Sequence, residues 1–535
     1  MGASNIYVLK TVLWAILAAS CVLELIFFPS ISNLVGCLVT IVSTWLFFTN
    51  VFKIEIVRSR PIAFIAFLQL FFFMFLPLPI TLLDGNEMSH DLFIPVETYL
   101  LQLFYFCCGI LAFYFSGALL SRNKISEWLK KCGYFVTPTD KQLWILGFIG
   151  LFFRLFMMSK QGNGEGQLAG AGTLNMFSLL IYSPICILFN PLLGKEKCSK
   201  KNTAVVCLYI AFLVILLIAT NSRSQMLSPL VVFAFVYLLK QVYTYRETLW
   251  MSYKKMFLII ISVLVISGPA SDMAIAMVVV RGERSSMTFS ELLEKSVEVY
   301  QDKEQLAVYR KFMIDKNNSS IGNEWQESYV SSSFLDRLCN YRVADATIYH
   351  AQRVGYGNLA MLELYENQIL AMFPGPIVKY FFPEIDKSNL NFSTMDKLYL
   401  LSANGGLGGF KVGGDVGLGL ATFGYFYFPL CCILYFLVFY ILDGVVLFFN
   451  NGPCFSIFTL ISVYFTYFLM FQVAGGIISQ TTFVLWKFWW VTIWYCIVFK
   501  VIRGGKLNHS LRELLLYKRV IPCWAYSMKG GVYVR

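Results

Sequence analysis

Charge is scarce in this 535-residue chain: Asp, Glu, Lys and Arg make up 14%, against about 25% in an average soluble protein. That deficit, beside 58% hydrophobic residues, excludes a string of water-soluble domains. Histidine is rarer still. With only His90, His350 and His509 in the chain, a metal site built on imidazoles is not expected, and no metal ligand is assigned. No Cys-x-x-Cys occurs among the 14 cysteines, and Cys107-Cys108 and Cys431-Cys432 lie inside apolar runs, where they read as small core residues. Only Cys339 falls within Arg281–Asp415, so no disulfide forms inside that stretch. Neither G-x-G-x-x-G nor G-x-x-x-x-G-K-[ST] is present, so no nucleotide is expected, and no cofactor of any kind is assigned. No internal repeat is visible. The net charge of +12 is not a nucleic-acid signature, because the excess sits in short connectors and the tail.

What the chain has instead is length in its apolar runs. Crossing a bilayer as a helix takes roughly 20 apolar residues. Twelve runs qualify as spans: Tyr7–Phe28, Ile31–Phe52, Ile62–Leu83, Thr98–Leu120, Leu143–Met158, Leu174–Leu193, Thr203–Thr220, Gln225–Leu239, Met256–Val280, Gly419–Leu442, Phe455–Ala474 and Thr481–Ile502. The first is expected to stay uncleaved: it runs through Val22–Phe28 past Ala18-Ala19-Ser20-Cys21, broken only by Glu24. The reading is an all-α polytopic membrane protein in four parts: spans 1–9 over residues 1–280, an outer region 281–415, spans 10–12 over 416–502, and a basic tail 503–535.

The connectors give orientation. One set is basic: Lys53, Arg58 and Arg60; Arg122 through Lys141; Lys195 through Lys201; Lys240 through Lys255. The alternate set is poor in basic residues, and Asp84, Glu87, Asp91 and Glu97 make one member acidic. Asp443–Cys454 belongs to the first set by span count yet carries no basic residue. The excess of Lys and Arg on cytoplasmic connectors then predicts both termini inside and Arg281–Asp415 outside.

That outer region has too many aromatic and apolar residues for a disordered linker. Thr288-x-x-Glu291 is a capping box that predicts a helix to about Met313, with Leu292, Val299, Leu306, Tyr309 and Met313 as its apolar stripe. A second helix is expected over Phe334–Gln352. Leu359–Phe382, interrupted by Glu363, Glu366, Pro374 and Pro376, reads as a helix on the outer surface or a re-entrant segment. The glycine-rich Asn404–Gly419 is either a tight turn into the next span or a backbone that approaches a sugar or phosphate closely.

Ionisable residues inside spans are costly and mark function. Arg154 lies about one turn from the outer end of the fifth span. Arg223 occupies the corner Asn221-Ser222-Arg223-Ser224, and Asp272 follows Gly268-Pro269 in the ninth. Arg281, Glu283 and Arg284 cluster where that span emerges. Outer arginines suit a diphosphate, because each guanidinium offers paired donors. The plain alternatives are snorkelling for Arg154 and interface marking for Arg281 and Arg284. Lys10, Glu24, Asp443 and Lys487 read as span-end residues that snorkel.

The corner Thr220-Asn221-Ser222-Arg223-Ser224, followed by an apolar span, and the late outer loop from Met372-Phe373-Pro374-Gly375 to Gly405-Gly406 resemble bacterial O-antigen and capsule polymerases of the Wzy type. More distantly the chain resembles the O-antigen ligases. The outer-loop arginines lack the Arg-x10-Gly spacing of some such polymerases. The resemblance implies a GT-C-like fold in a bacterial inner membrane, an undecaprenyl-diphosphate-linked glycan as substrate, membrane lipid and a chain-length regulator protein as partners, and metal-independent glycosyl transfer. Arg223 would bind the diphosphate, supported by Arg281, Arg284 and Arg154, with Glu283 or Asp272 as the base. The alternatives are a ligase using His350, or a polysaccharide flippase.

Overall fold

The computed structural model describes residues 3–161, 177–194, 200–218, 223–244, 272–273, 275–276, 279–280, 289–308, 325, 329–330, 336–373, 375–385, 387–390, 392–408, 411–449, 452–471 and 476–504. The helices that matter here are α1 (Ala3–Phe27), α2 (Ile31–Asn50), α3 (Pro61–Phe75), α4 (Pro77–Leu83), α5 (Pro95–Ala118), α6 (Lys124–Lys131), α7 (Asp140–Gln161), the tight 3-10 helix α8 (Leu179–Leu193), α9 (Lys200–Ile218), α10 (Ser228–Thr244), α11 (Phe289–Gln301), α12 (Tyr341–Val354), α13 (Leu359–Leu370), α14 (Thr394–Ala403), α15 (Asp415–Phe423), α16 (Tyr427–Gly444) and α17 (Gly476–Ile502). Lipid offers no partner to a free N–H or C=O, so apolar runs of this length close their own hydrogen bonds as helices. Their apolar side chains face outward as well as inward: Ile26, Leu100, Phe104, Phe148 and Leu208 are exposed, as a lipid-facing belt requires.

Among the described residues six helices are long and apolar enough to cross a membrane, or seven if the bent pair α3–α4 is one span. The protein is therefore a multi-pass helical membrane protein. Three more of the sequence-predicted spans hold shorter apolar helices, Leu179–Leu193, Asn202–Leu217 and Ser228–Tyr243. Helix α8 carries Pro184 and Pro191 and kinks at Phe189, because proline has no N–H to donate. Phe455–Ala474 breaks into Ile457–Ile461, a π-helical turn Val463–Tyr467 and a 3-10 turn Phe468–Phe471. Most of Met256–Val280 lies outside the described residues.

Connector hydrogen bonds sort the helix ends into two groups. At one end Lys10 Nζ donates to the Phe48 carbonyl (2.8 Å), Tyr243 Oη to the Arg58 carbonyl (2.9 Å) and Asn123 Nδ2 to the Tyr440 carbonyl (2.7 Å). At the other, Asn33 Nδ2 donates to Glu87 (2.9 Å), and the Met88 N–H to Glu24 (2.7 Å). The first end holds the basic connectors and the second the acidic one, so the charge alternation of the sequence follows the real ends of the bundle.

Arg60 and Asp443 meet at the basic end with side chains 1% and 0% exposed, 2.7 Å apart. The guanidinium also donates to the Phe113 carbonyl and to Ser116 Oγ, so its forked donors are used on three partners. This corrects the span-end reading of Asp443. It also explains why its connector needs no basic residue of its own. That connector folds into a small antiparallel hairpin, Val446–Phe449 with Gly452–Phe455, whose Cys454 packs on Phe135. Glu24 is likewise 0% exposed rather than snorkelling.

The described parts of residues 336–415 pack on the acidic end. Helix α5 starts at Pro95 behind Ile94, which has no side chain to cap it. The cap comes from α12: Asp345, 0% exposed, accepts the Phe93 and Ile94 N–H groups (2.6 and 3.0 Å) and the Thr98 hydroxyl (2.8 Å). Burial pushes this carboxyl above the usual carboxylate range, with the three donated bonds opposing. The predicted helix from Thr288 is helical from Phe289 to Val308, where the described residues end, with one break at Asp302. Asp302 ends its run and caps the next turn by accepting the Gln305 N–H (2.9 Å). Thr288, Tyr309 and Met313 lie outside the described residues, while Val299 and Leu306 are buried as the stripe required. In the second stretch Asn340 caps α12 by accepting the Val343 N–H (2.9 Å). Leu359–Phe382 forms α13 and a short helix Gly375–Phe381, with Leu359, Tyr380 and Phe381 exposed.

The chain folds back where a single span starting at Gly419 was expected. Gly424 at φ +60° breaks the helix. A Cβ on Gly419 would lie 2.2 Å from the Tyr427 ring, although eight residues of straight helix would separate them by about 12 Å. Helix α15 therefore runs back along α16, and its first residue, Asp415, is buried among Tyr105 (2.8 Å) and Gln480 (3.2 Å). Gly417 lets α15 touch α12, since a Cβ there would sit 2.5 Å from the Thr347 backbone. The glycine-rich segment thus serves close packing and a dip between helices.

Candidate functional site

Backbone contact between α7 and α8 sets the site. A Cβ on Gly150 would lie 2.0 Å from the Ile181 nitrogen, so the two helices touch there without intervening side chains. One turn further along α7 stands Arg154, near enough for its charge to act on the Tyr182 hydroxyl of α8. The Tyr182 hydroxyl pairs with Ser228 Oγ at 2.6 Å, and Ser228 Oγ donates to the Gln225 carbonyl at 2.5 Å. Gln225 belongs to the helical turn Arg223–Met226 that opens α10. Residues 154, 182, 228 and 223 are thus gathered by three elements, and Tyr182 and Ser228 are buried at 5% and 0% exposure. The corner residues 219–222 lie outside the described residues.

An aromatic strip leads away from this cluster. Phe153 stacks on Phe177 (5.1 Å), Phe177 meets Trp494 (6.3 Å), and Trp494, Trp490 and Trp486 follow at one-turn intervals on α17. Beside Trp486, Lys487 closes a π-helical turn, Phe483–Lys487, and its side chain is exposed. Among the described residues it makes no hydrogen bond or ion pair. Because α17 begins at Gly476, Lys487 stands about 16 Å inside the helix, which corrects its span-end reading. An ammonium at such depth is costly, and π-turns recur at functional positions. The sequence signal was its neighbourhood, Trp486, Trp489 and Trp490, which anchored nothing at the expected span end.

Asp272 accepts a 2.9 Å ion pair from Lys303, next to a small apolar cluster of Ala276, Val280, Val299 and Leu306. Arg281, Glu283 and Arg284 lie outside the described residues. His350 is 0% exposed, stacked on Trp325 at 5.1 Å and edge-on to Tyr399 at 5.2 Å, with Nδ1 2.8 Å from Ser402 Oγ. It packs the outer region.

Compared with known protein families, with curated proteins and with solved structures, the chain matches none. What its fold and composition define is the class, a multi-pass helical membrane protein.

Proposed function

We propose that this protein is a glycosyltransferase that polymerises undecaprenyl-diphosphate-linked oligosaccharide units at the outer face of a bacterial inner membrane. Its termini are cytoplasmic, and its GT-C-like body is completed to about twelve spans by the shorter apolar helices. The observation that carries the reading is the convergence of Arg154 with the turn that starts at Arg223, through Tyr182 and Ser228. Two further features support it: the insertion folded onto the acidic end, and the match between connector charge and the two bundle ends.

In the proposed step an acceptor hydroxyl oxygen attacks the anomeric carbon of the donor glycan. The bond to the diphosphate oxygen breaks, and the diphosphate leaves with the electron pair. Arg223, with Arg154, Arg281 and Arg284, neutralises the charge that develops there. Glu283 or Asp272 takes the hydroxyl proton. Losing one such donor costs about 3–4 kcal/mol of transition-state stabilisation. Arg223→Ala should then abolish long surface glycan while the protein inserts at normal levels. Arg223→Lys should recover little, since it loses the paired donors. Full-length polymer from Arg223→Ala would remove the residue from the mechanism. Deleting the gene should leave one repeat unit per lipid anchor; polymer stranded on the carrier would indicate a ligase instead, and unpolymerised carrier-linked units held inside the cell a flippase.

A transporter is the second reading, favoured by α15, a short helix that doubles back with a buried carboxylate at its start, as broken helices do in transporters.

A further inference from the structure

At the acidic end a groove of about 970 Å³ opens between α2, α5 and the start of α16. Ser32, Glu97, Leu101, Phe104, Tyr425 and Phe428 line it, and its surface is mostly apolar. It faces outward: Leu100 and Phe104 on its α5 wall are 52% and 58% exposed. From the first turn of α5 it follows the helix for about 13 Å, reaching Phe104. It therefore lies where lipid chains would meet the protein, with polar atoms only at its mouth.

Those polar atoms have one sign. Glu97 is half-buried, and among the described residues its one hydrogen bond comes from Tyr356 Oη to Oε1, at 3.3 Å. Burial pushes the Tyr356 hydroxyl up to about 12, so it remains a donor at neutral pH. Its ring stands edge-on to Tyr425 (5.5 Å), which fixes both at the rim. No Lys, Arg or His lines the groove. Other carboxylates at this end already have partners: Glu24, Asp345 and Asp396 accept backbone N–H groups, Glu87 the Asn33 amide, and Asp91 pairs with Arg342. Among the described residues Glu97 pairs with no cation, and it lines the groove as a carboxylate.

We propose that this groove is a binding site for a phospholipid whose head group carries a primary ammonium, the acyl chains lying along α5 and the ammonium pairing with Glu97. The hydroxyls of Ser32 and Tyr425 supply donors for its phosphate. A lipid with a purely anionic head, including a polyprenyl diphosphate, would set its phosphate against the carboxylate, and like charges repel there. The proposal does not rest on the glycan reading.

The test uses full-length protein in vesicles of mixed phosphatidylethanolamine and phosphatidylglycerol. Trace spin-labelled forms of each lipid report the motionally restricted fraction. Phosphatidylethanolamine should be retained about fivefold over phosphatidylglycerol, the upper range for one half-exposed ion pair. Glu97→Gln should abolish that preference, while Glu55→Gln, an exposed acid at the basic end, should leave it intact. A second arm needs no variant: phosphatidylethanolamine with its amine acetylated should lose its advantage on the wild-type protein. Equal retention of the two lipids by wild type, or a preference that survives either Glu97→Gln or acetylation, overturns the proposal.

Discussion

At the basic end, Asp443 meets Arg60, and two whole spans are tied through one charge pair 383 residues apart in sequence. At the acidic end, buried carboxylates meet mainly backbone: Glu24 takes the Met88 N–H, Asp345 those of Phe93 and Ile94, and Asp396 those of Ser393 and Lys411, with the Lys411 ammonium farther off at 3.9 Å. The difference follows from the connectors. Those described at the basic end are short, so few N–H groups are stranded, and a buried charge there needs an opposite charge. The acidic end carries the long insertion, whose turns and helix starts leave N–H groups without partners. A carboxylate that accepts two of them neutralises its own burial and theirs.

The sharpest way to break this comparison is to remove one partner of the ion pair. Arg60→Ala removes the buried charge opposite Asp443 and should cost about 3–5 kcal/mol. Thermal unfolding in detergent would read the loss, and Arg60→Met with Asp443→Leu should restore most of it. An unchanged melting point for Arg60→Ala would show that water reaches the pair.

Next comes the capping carboxylate. Asp345→Ala strands the Phe93 and Ile94 N–H groups, at about 1–3 kcal/mol for each unsatisfied group. Faster hydrogen exchange should appear at the start of α5 while the basic end keeps its protection. Asp345 also adds a pH dependence of definite sign. Its folded-state carboxyl holds a proton more tightly than the unfolded one. Its contribution is therefore full below about pH 4 and declines as pH rises through the raised value. Asp345→Asn should flatten that slope; a slope of opposite sign would mean that the donated bonds outweigh burial.

Gly417→Val tests the dip itself. With the Thr347 backbone 2.5 Å from the new Cβ, α15 must move away from α12, at about 1–3 kcal/mol. Protease sensitivity between Asn404 and Gly414 would rise. The smallest effect sharpens the contrast: Glu97→Gln should change stability by less than about 0.5 kcal/mol, because this carboxylate, unlike its neighbours, caps no backbone. A large loss would place Glu97 among the structural acids.

The sequence by itself determined the class of protein, the helical state of its apolar runs, the alternation of connector charge and the helical character of the outer insertion. Each is a local property: twenty apolar residues must hydrogen-bond internally in lipid, and a connector carries its own charge. It located Arg154 and the Arg223 turn without showing that Tyr182 and Ser228 join them. Only the tertiary structure decided which ionisable residues are buried and paired, because Glu24, Asp345 and Asp443 find partners 64, 252 and 383 residues away. It alone decided that Gly424 turns one expected span into a doubled-back helix and a span, and that α17 starts early enough to carry Lys487 into its interior. Hydropathy sums over a window, so a chain that reverses inside the apolar layer reads the same as one that crosses it.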